Sequence, residues 1–595
     1  MQRNRTTLSQ PMPKPSGALT AFLLLAILLA GSFLRFRNMT AYEPFIADEG
    51  AYHLEARYLY SLVQNAWESL HLKQQEQKTG ENLWRRGDEA RRFQENLEGR
   101  APWYARPGHI YLLALSMAAL GPDKVYLGGL VSSLFGTLCI PLVFGLTARL
   151  YHRGAGLAAA ALFSFSGYQV AYCHSGLTEQ DSLFFLLLAG MLHLASKREE
   201  ATASRSKFLF ATGLSLGVAF VIHYRTLVIL LAFLLWEAFL QPTTDKEKKR
   251  ERVKGLLMLS FGAVVPICLT EIPYYLLTLL VHLFFKTTLP FPTYFEQLIG
   301  QFFVSIYTNL HSTQQDFSVA NLLTYPFLLW KLEGPLWPLV LTVSVLVCLR
   351  RRKPSDQWAA FFFFVPFLLC TFLQPRARYA CSFLAFGAVM MGSVLAAPDR
   401  RPFGSPRRGN LLLLALLLPV LAMSSLHAFR AGNSRLSYRH AMDFILSQGS
   451  AKHLATYSLL SQVYVGVKNV PDPWPQSEEA LRGLYEQGYR FIVIDLLKDV
   501  ADLFLSPFNV ENHPGYRDRL ALLNRIEDSR EPVYTVENLH VSPIQNIFEV
   551  NHNFWKTLSY YRTTQEIPRI RQIRVFDLRE FFDRPMTEVP AAEGE

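Results

Sequence analysis

Hydrophobic positions along this chain gather into eleven long runs, at about 18–35, 126–148, 155–173, 180–196, 207–223, 225–240, 255–271, 335–349, 358–374, 379–396 and 410–428. A helix needs about 20 apolar residues to cross a bilayer, and runs of about 14–18 pass inside a large bundle. The stretches between the runs sort by charge. Every second one is basic: ARLYHRGA, SKREEATASRSK, QPTTDKEKKRERVKG, RRRKPSDQ and APDRRPFGSPRRGN. Basic loops stay on the cytoplasmic side. The N-terminus therefore lies inside, and an odd number of spans puts the C-terminal tail outside.

Four apolar or polar stretches fall outside this count. HIYLLALSMAAL, His109 to Leu120, covers about 18 Å as a helix, against about 30 Å of hydrocarbon. As a span it would also flip the basic loops outward. It reads as a helix lying in the outer interface. The first outer loop then runs from about 36 to 125, with a charged, solvated, helix-prone middle, ESLHLKQQEQKTGENLWRRGDEARRFQENLEGR. A second outer region, KTTLPFPTYFEQLIGQFFVSIYTNLHSTQQDFSVAN, is aromatic and irregular. EIPYYLLTLLVHLFF before it is an interfacial helix or an extension of the seventh span.

The tail, 430–595, changes character. RFIVID is a continuous apolar run typical of a buried strand. HLATYS, VYVGV, PVYTVE and IRVFDL are weaker strands, and QSEEALRGLYEQGY is an amphipathic helix. An α/β layer domain is expected. No glycine-rich phosphate loop follows any strand, so the tail reads as a structural or recognition cap.

Composition agrees with a membrane chain. Half of the residues are hydrophobic and 18% are charged, where soluble domains carry about a quarter. The net charge of +11 resides in the short clusters between apolar runs, which excludes nucleic acid as a partner. The six cysteines lie in or at the ends of apolar runs and none lies beyond Phe429. There is no disulfide framework and no CxxC metal site. The basic start, MQRNRTTLSQPMPKPSG, leads into a first span without a small-residue cleavage site, so that span is expected to be retained. The sequon Asn38-Met39-Thr40 hugs the membrane and argues little for a secretory pathway; the setting is a bacterial plasma membrane.

This topology gathers ionisable groups on the outer face. Asp48 and Glu49 follow the first span. The second outer turn carries His174, Glu179 and Asp181, and the next carries His223, Tyr224 and Arg225. Glu271 ends the seventh span, and QPRARYACSF brings Arg376, Arg378 and Tyr379. Charges near hydrocarbon are costly and mark function. A carboxylate can take a proton from an attacking hydroxyl or amine. Arginines fork onto phosphate and stabilise its leaving charge. Acids and arginines at one interface suit group transfer from a lipid-linked phosphate. Arg225, Arg376 and Arg378 are the candidates for the donor phosphate.

Each group also has an ordinary use. Asp48 and Glu49 could be solvated interface acids, and Asp181 an N-terminal helix acid. His174 and His223 could simply be packed, Arg376 and Arg378 could anchor lipid headgroups, and Glu271 could end a helix. Their common side, not any one residue, carries the reading.

ADEGAYHLEARYL after the first span resembles the Asp-Glu motif of polytopic C-type (GT-C) glycosyltransferases, in the protein O-mannosyltransferase and aminoarabinose-lipid A transferase-like group. The order and spacing from RPGHIYLLALSMAAL to AYCHSGLTEQDSLFFLLLAGMLHLA are similar to that group, as is QPRARYACSFLAF. Arg106-Pro107-Gly108 stands where the group has Lys-Pro-Pro, and Glu179-Gln180-Asp181 where it has Leu-Thr-Asp. The likeness is good over 18–240 and loose over 255–430.

The resemblance implies a polytopic α-helical membrane protein of about 11 transmembrane helices with an extracytoplasmic α/β domain. Residues 1–17 would be cytoplasmic, 18–429 the transferase domain and 430–595 the outer domain. It implies an inverting hexosyl- or pentosyltransferase using a polyprenyl-phosphate sugar, with a protein, lipid or glycan acceptor. Asp48 would be the base, Glu49 its support and Asp181 the second acidic residue. His53, His174, Glu179, Glu271 and Tyr379 complete the candidate lining. The group contains metal-independent and metal-binding members, so a divalent metal ion stays open and no cofactor is fixed. A lipid-linked glycan transporter or flippase, a non-catalytic envelope assembly protein, and an oligosaccharyltransferase or glycan ligase are the competing readings. No internal repeat of the transporter kind is present.

Overall fold

The computed structural model describes residues 17–44, 47–80, 86–102, 106–197, 202–239, 246–289, 291–297, 299–300, 303, 318–373, 377–396, 406–433, 437–456, 458–471, 474–495, 515–538, 554–555, 558, 562 and 572–583. The N-terminal part is a helical bundle. Helix α1 (Gly17–Phe36) is followed by α2 (Ala47–Thr79), α3 (Arg86–Asn96) and α4 (Pro107–Leu120). Next come α5 (Leu127–Leu150), α6 (Arg153–Ser164), α7 (Gly167–Cys173), α8 (Glu179–Ser196), α9 (Thr202–Ile222) and α10 (Leu227–Phe239). The bundle closes with α11 (Lys246–Leu269), α12 (Glu271–Phe285), α13 (Thr324–Glu333), α14 (Leu336–Arg351), α15 (Pro354–Leu373), α16 (Ala380–Leu395) and α17 (Pro406–Ala431).

Six of the described helical stretches are long and apolar enough to cross a membrane. The longest, Lys249–Phe285, runs through α11 and α12, so EIPYYLLTLLVHLFF continues the seventh span. HIYLLALSMAAL forms α4, whose buried Ile110, Leu113 and Met117 belong to the common core. Most of KTTLPFPTYFEQLIGQFFVSIYTNLHSTQQDFSVAN, including 304–317, lies outside the described residues.

The run 155–173, read as one span, is two helices. The chain breaks at Phe165 and Ser166. A break exposes the last carbonyls of one helix and the first amides of the next, and no water serves them in a bilayer. Two buried charges do. Arg35 of α1, 0% exposed, donates from Nη1 to the Ser164 carbonyl (2.8 Å) and from Nη2 to the Phe163 carbonyl (3.2 Å). Glu333, ending α13, accepts from the amides of Gly167 (3.1 Å) and Tyr168 (2.8 Å) and from the Ser424 hydroxyl (2.7 Å). The Ser166 hydroxyl also donates to Glu333. A cation at a helix C-terminus and an anion at an N-terminus suit the helix dipoles. Gly167 is required here, because a Cβ would lie 2.5 Å from the Leu332 carbonyl oxygen.

The tail begins with α18 (Tyr438–Ser447), β1 (His453–Ala455), α19 (Ser458–Val465) and α20 (Glu478–Glu486). It continues with β2 (Phe491–Ile494), α21 (Tyr516–Ser529), β3 (Tyr534–Glu537), β4 (Gln572–Asp577) and α22 (Leu578–Phe582). The sheet order is β1-β2-β4-β3, with β1 parallel to β2 and β4 antiparallel to both neighbours. Four of the five expected strands form. VYVGV does not: Val463 to Val465 end α19. The residues Leu459 and Val463, four apart and so on one helical face, bury against Ala51 and Leu54 of α2. Tertiary contact has overridden the β preference of valine.

The tail is thus seated on the start of α2. Gly50 allows it: a Cβ there would lie 2.9 Å from the Leu459 carbonyl oxygen. Arg57 of α2 donates to the Val463 carbonyl at the end of α19 (3.0 Å). Glu43, 6% exposed, accepts the Arg439 amide in the first turn of α18 (3.1 Å). Burial pushes the Glu43 carboxyl up to about 7.

Two outcomes are expected. Glu333→Ala leaves the amides of Gly167 and Tyr168 without their acceptor. It lowers stability by about 2–4 kcal/mol, read as the midpoint of thermal unfolding in detergent. Glu43 holds its proton more tightly when the tail is seated than when it is free. Its contribution is full below about pH 4.5 and is lost as pH rises through about 7. Glu43→Gln removes this part of the pH dependence of melting between pH 5 and 8; an unchanged profile would contradict the assignment.

Candidate functional site

Four chain segments bring charge to one end of the bundle. Asp48 and Glu49 lie in the first turn of α2, and Glu179 and Asp181 in the first turn of α8, where helix dipoles favour acids. Arg225 sits in a 3-10 turn, Tyr224–Thr226, between α9 and α10. Arg378 sits in another, Ala377–Tyr379, just ahead of α16. Such tight turns are common connectors, and here each places an arginine beside acids from distant segments.

Arg378 is the hub. Its Nη1 donates to Asp48 Oδ2 at 2.8 Å, and its Nε lies 3.6 Å from Glu179 Oε1. Arg106 Nη1 stands 3.7 Å from the same Asp48 oxygen. Arg378 is 2% exposed and Glu179 5%, whereas the Asp48 side chain keeps 24% of its surface. The aspartate is therefore the acid that faces out. His223 Nε2 lies 3.6 Å from Glu179 Oε1, and its Nδ1 accepts the Arg225 amide (3.3 Å). The guanidinium of Arg225 lies 4.2 Å from the Tyr379 ring centroid, a cation–π contact. Arg225 forms no ion pair among the described residues, and its Nη1 is buried without a hydrogen-bond partner among them.

A cleft of about 430 Å³ opens at this cluster. Its walls are apolar, from Leu231 and Leu235 of α10 and Val365 and Leu369 of α15. Glu179, Arg225, Arg378 and Tyr379 line its polar end. The arrangement offers a slot for a hydrocarbon chain that finishes on two guanidinium groups, with a carboxylate just beyond.

Asp48, Glu179, Arg225, Arg378 and Tyr379 are brought together. Glu49 turns the other way, accepting a hydrogen bond from the Tyr42 hydroxyl, which itself accepts the Gly176 amide (2.8 Å). Burial raises the Tyr42 phenol well above its ordinary range, which keeps it a donor. Asp181 is 0% exposed and is not part of the cleft lining. Its Oδ2 lies 2.6 Å from His109 Nδ1, and His109 Nε2 meets the Gly176 carbonyl at 3.0 Å. His53 packs on Arg57 (3.1 Å), and burial drives its ring down to about 3. His174 holds the Leu34 carbonyl (3.1 Å) and is lowered by burial to about 4. Glu271 accepts the Phe295 amide at the start of α12. Arg376 lies outside the described residues. Among the described residues, no group of three or more His, Cys, Asp or Glu is arranged to hold a metal ion.

The sequence reading missed Arg106 and His109. Arg106 keeps a cation where the resemblance expects lysine, and its distance to Asp48 gives that cation a partner. A charge immediately before the Pro107 that starts α4 was the available signal. His109 was hidden inside an apolar run.

The family model for dolichyl-phosphate-mannose-protein mannosyltransferases matches residues 102–270. A search of curated proteins finds no sequence match. Among solved structures, the Archaeoglobus fulgidus oligosaccharyltransferase tethered with an acceptor peptide is similar at TM-score 0.51 and 12% identity, over 81% of this chain and 70% of that one. The archaeal oligosaccharyltransferase AglB from the same organism, in complex with an inhibitory peptide and a dolichol-phosphate, gives TM-score 0.52 and 13% identity over 94% and 88%. ArnT from Cupriavidus metallidurans bound to undecaprenyl phosphate gives TM-score 0.50 and 12% identity over 82% and 95%. The family-model match over residues 102–270 and these solved structures thus make the chain similar, in that segment and in fold, to C-type (GT-C) glycosyltransferases.

Proposed function

We propose that the chain transfers a sugar from a polyprenyl-phosphate donor to an acceptor on the outer face of the membrane, with Asp48 as the base. The observation that carries this reading is the apolar cleft that ends on Arg225 and Arg378 beside Asp48. The prenyl chain would lie along α10 and α15, its phosphate against the two guanidinium groups. Arg225, with no ion pair among the described residues, is the cation open to that phosphate. Arg378 spans Asp48 and Glu179 and so fixes the base relative to the leaving group. The bond from the sugar's anomeric carbon to the phosphate oxygen breaks as the acceptor oxygen bonds to that carbon, with inversion. Asp48 takes the acceptor proton, and the arginines meet the charge left on the phosphate.

Undecaprenyl phosphate on ArnT and dolichol-phosphate on AglB, both of this fold, support a lipid phosphate as the carrier. The acceptor peptide tethered to the archaeal oligosaccharyltransferase supports a protein as one class of acceptor. The basic loops support a multi-pass protein of a bacterial inner membrane, with its N-terminus cytoplasmic, 18–429 forming the transferase domain and 430–595 an outer domain. The seat of α19 on α2 gives that outer domain a task, which is to steady the helix that presents Asp48.

The test is transfer of labelled sugar from polyprenyl-phosphate donors in membranes. Asp48→Asn is expected to lower kcat by about 10²- to 10⁴-fold, with protein level and melting unchanged. Arg225→Gln is expected to raise the KM for donor by about tenfold, since a charge-assisted contact is removed, and to leave the acceptor KM alone. Full transfer by Asp48→Asn would remove it as the base.

A further inference from the structure

Glu179 is a costly residue. It is 5% exposed, it lines the cleft, and neither of its oxygens has a hydrogen bond among the described residues. A buried carboxylate is tolerated only when paired, and its pairing is loose: 3.6 Å to Arg378 and 3.6 Å to His223. His223 accepts the Arg225 amide on Nδ1, so the ring carries its proton on Nε2 and is neutral. The charged or titratable groups around Glu179 are Arg378, His223 and Arg106, with Tyr168, Tyr172 and Cys381 behind. Besides helping to hold Arg378, this acid places a negative charge beside the cations that would meet a phosphate.

Its effect is on total charge. Among the described residues, the charged groups lining the cleft are Arg225, Arg378 and Glu179, so two cations against one anion leave a single positive charge there. Asp48 and Arg106 at the rim cancel each other. We infer that Glu179 sets the charge of the lipid phosphate the site retains, matching the singly charged donor and rejecting the doubly charged spent carrier. The inference rests on the proposed function.

The charges balance through the reaction. The donor is a phosphodiester with one negative charge. As the anomeric carbon–oxygen bond breaks, its electron pair stays on the phosphate, which becomes a monoester with two charges above its second pKa of about 6. The acceptor's proton moves to Asp48, which loses its own negative charge. The site therefore gains one positive charge as the phosphate gains one negative charge. When Asp48 returns the proton to water, the match is lost and the carrier leaves. Without Glu179, the site would keep its second positive charge and hold the spent lipid.

The experiment measures binding to the full-length protein in nanodiscs of neutral lipid. The probes are undecaprenyl phosphate and its methyl diester, at pH 8 and pH 5, with wild type, Glu179→Gln and Glu179→Asp. The expected wild type binds the diester at pH 8 at least as tightly as the monoester. Glu179→Gln tightens the monoester relative to the diester by about tenfold at pH 8, and the gain vanishes at pH 5, where both lipids carry one charge. Glu179→Asp behaves as wild type. A structural role predicts weaker binding of both lipids instead. Equal changes for the two lipids, or a wild type that prefers the monoester tenfold at pH 8, overturns the inference; the wild-type comparison decides even if Glu179→Gln does not fold. A wild type that binds neither lipid, with Arg225→Gln no different, overturns the donor reading itself.

Discussion

A helix broken inside the bundle must find partners for the backbone groups it exposes, and the way this chain does so organises the rest of the fold. Between α6 and α7 the exposed carbonyls go to Arg35 and the exposed amides to Glu333. Those two residues come from α1 and α13, about 300 positions apart in sequence. Satisfying one break thus ties the first helix, the third expected span and the later bundle into one unit. After α7 a short turn, His174 to Thr178, leads into α8 and meets Tyr42 and His109.

That turn is where structural and chemical demands divide. Gly176 gives its amide to Tyr42 and its carbonyl to His109. Tyr42 reaches back to Glu49, and His109 to Asp181. These contacts fasten the outer loop to α8 through Glu49 and Asp181, with both acids turned inward. Glu179, near neighbour of Asp181, lines the cleft, Asp48 stands beside it, and a single guanidinium, Arg378, spans the two. The helical period explains the division: residues one or two positions apart on a helix point in different directions. The far end of α8 shows the same economy of buried charge. Glu237 there accepts from His193 at 2.6 Å and from Lys197, with Arg205 at 3.6 Å. An 18-residue helix is about 27 Å long, so two ionic clusters bracket a hydrophobic slab close to the thickness of a bilayer.

The described part of the tail makes contact with the bundle. Its helix α19 lies against the first turns of α2, with Gly50 making room and Arg57 holding its last carbonyls. Gly50, the point of closest approach, directly follows Asp48 and Glu49 in α2. The acid pair is consequently clamped from two sides, by α19 outside and by Gly176 and Arg378 within.

The sequence alone determined the features that composition and local chemistry dictate. Apolar runs and basic loops specified the polytopic bundle, because hydrocarbon admits little else. RFIVID and QSEEALRGLYEQGY announced the mixed α/β tail, and the Asp-Glu, Glu-Gln-Asp and Arg-Ala-Arg segments announced acids and arginines on one side. Only tertiary structure decided which members of those pairs face the cleft. Asp48 and Glu49 are indistinguishable as letters, as are Glu179 and Asp181; their roles depend on Tyr42, His109 and Arg378 arriving from elsewhere. VYVGV became helix, and 155–173 became two helices, for the same reason. Partners distant in sequence supplied hydrogen bonds and buried area that outweighed local preference.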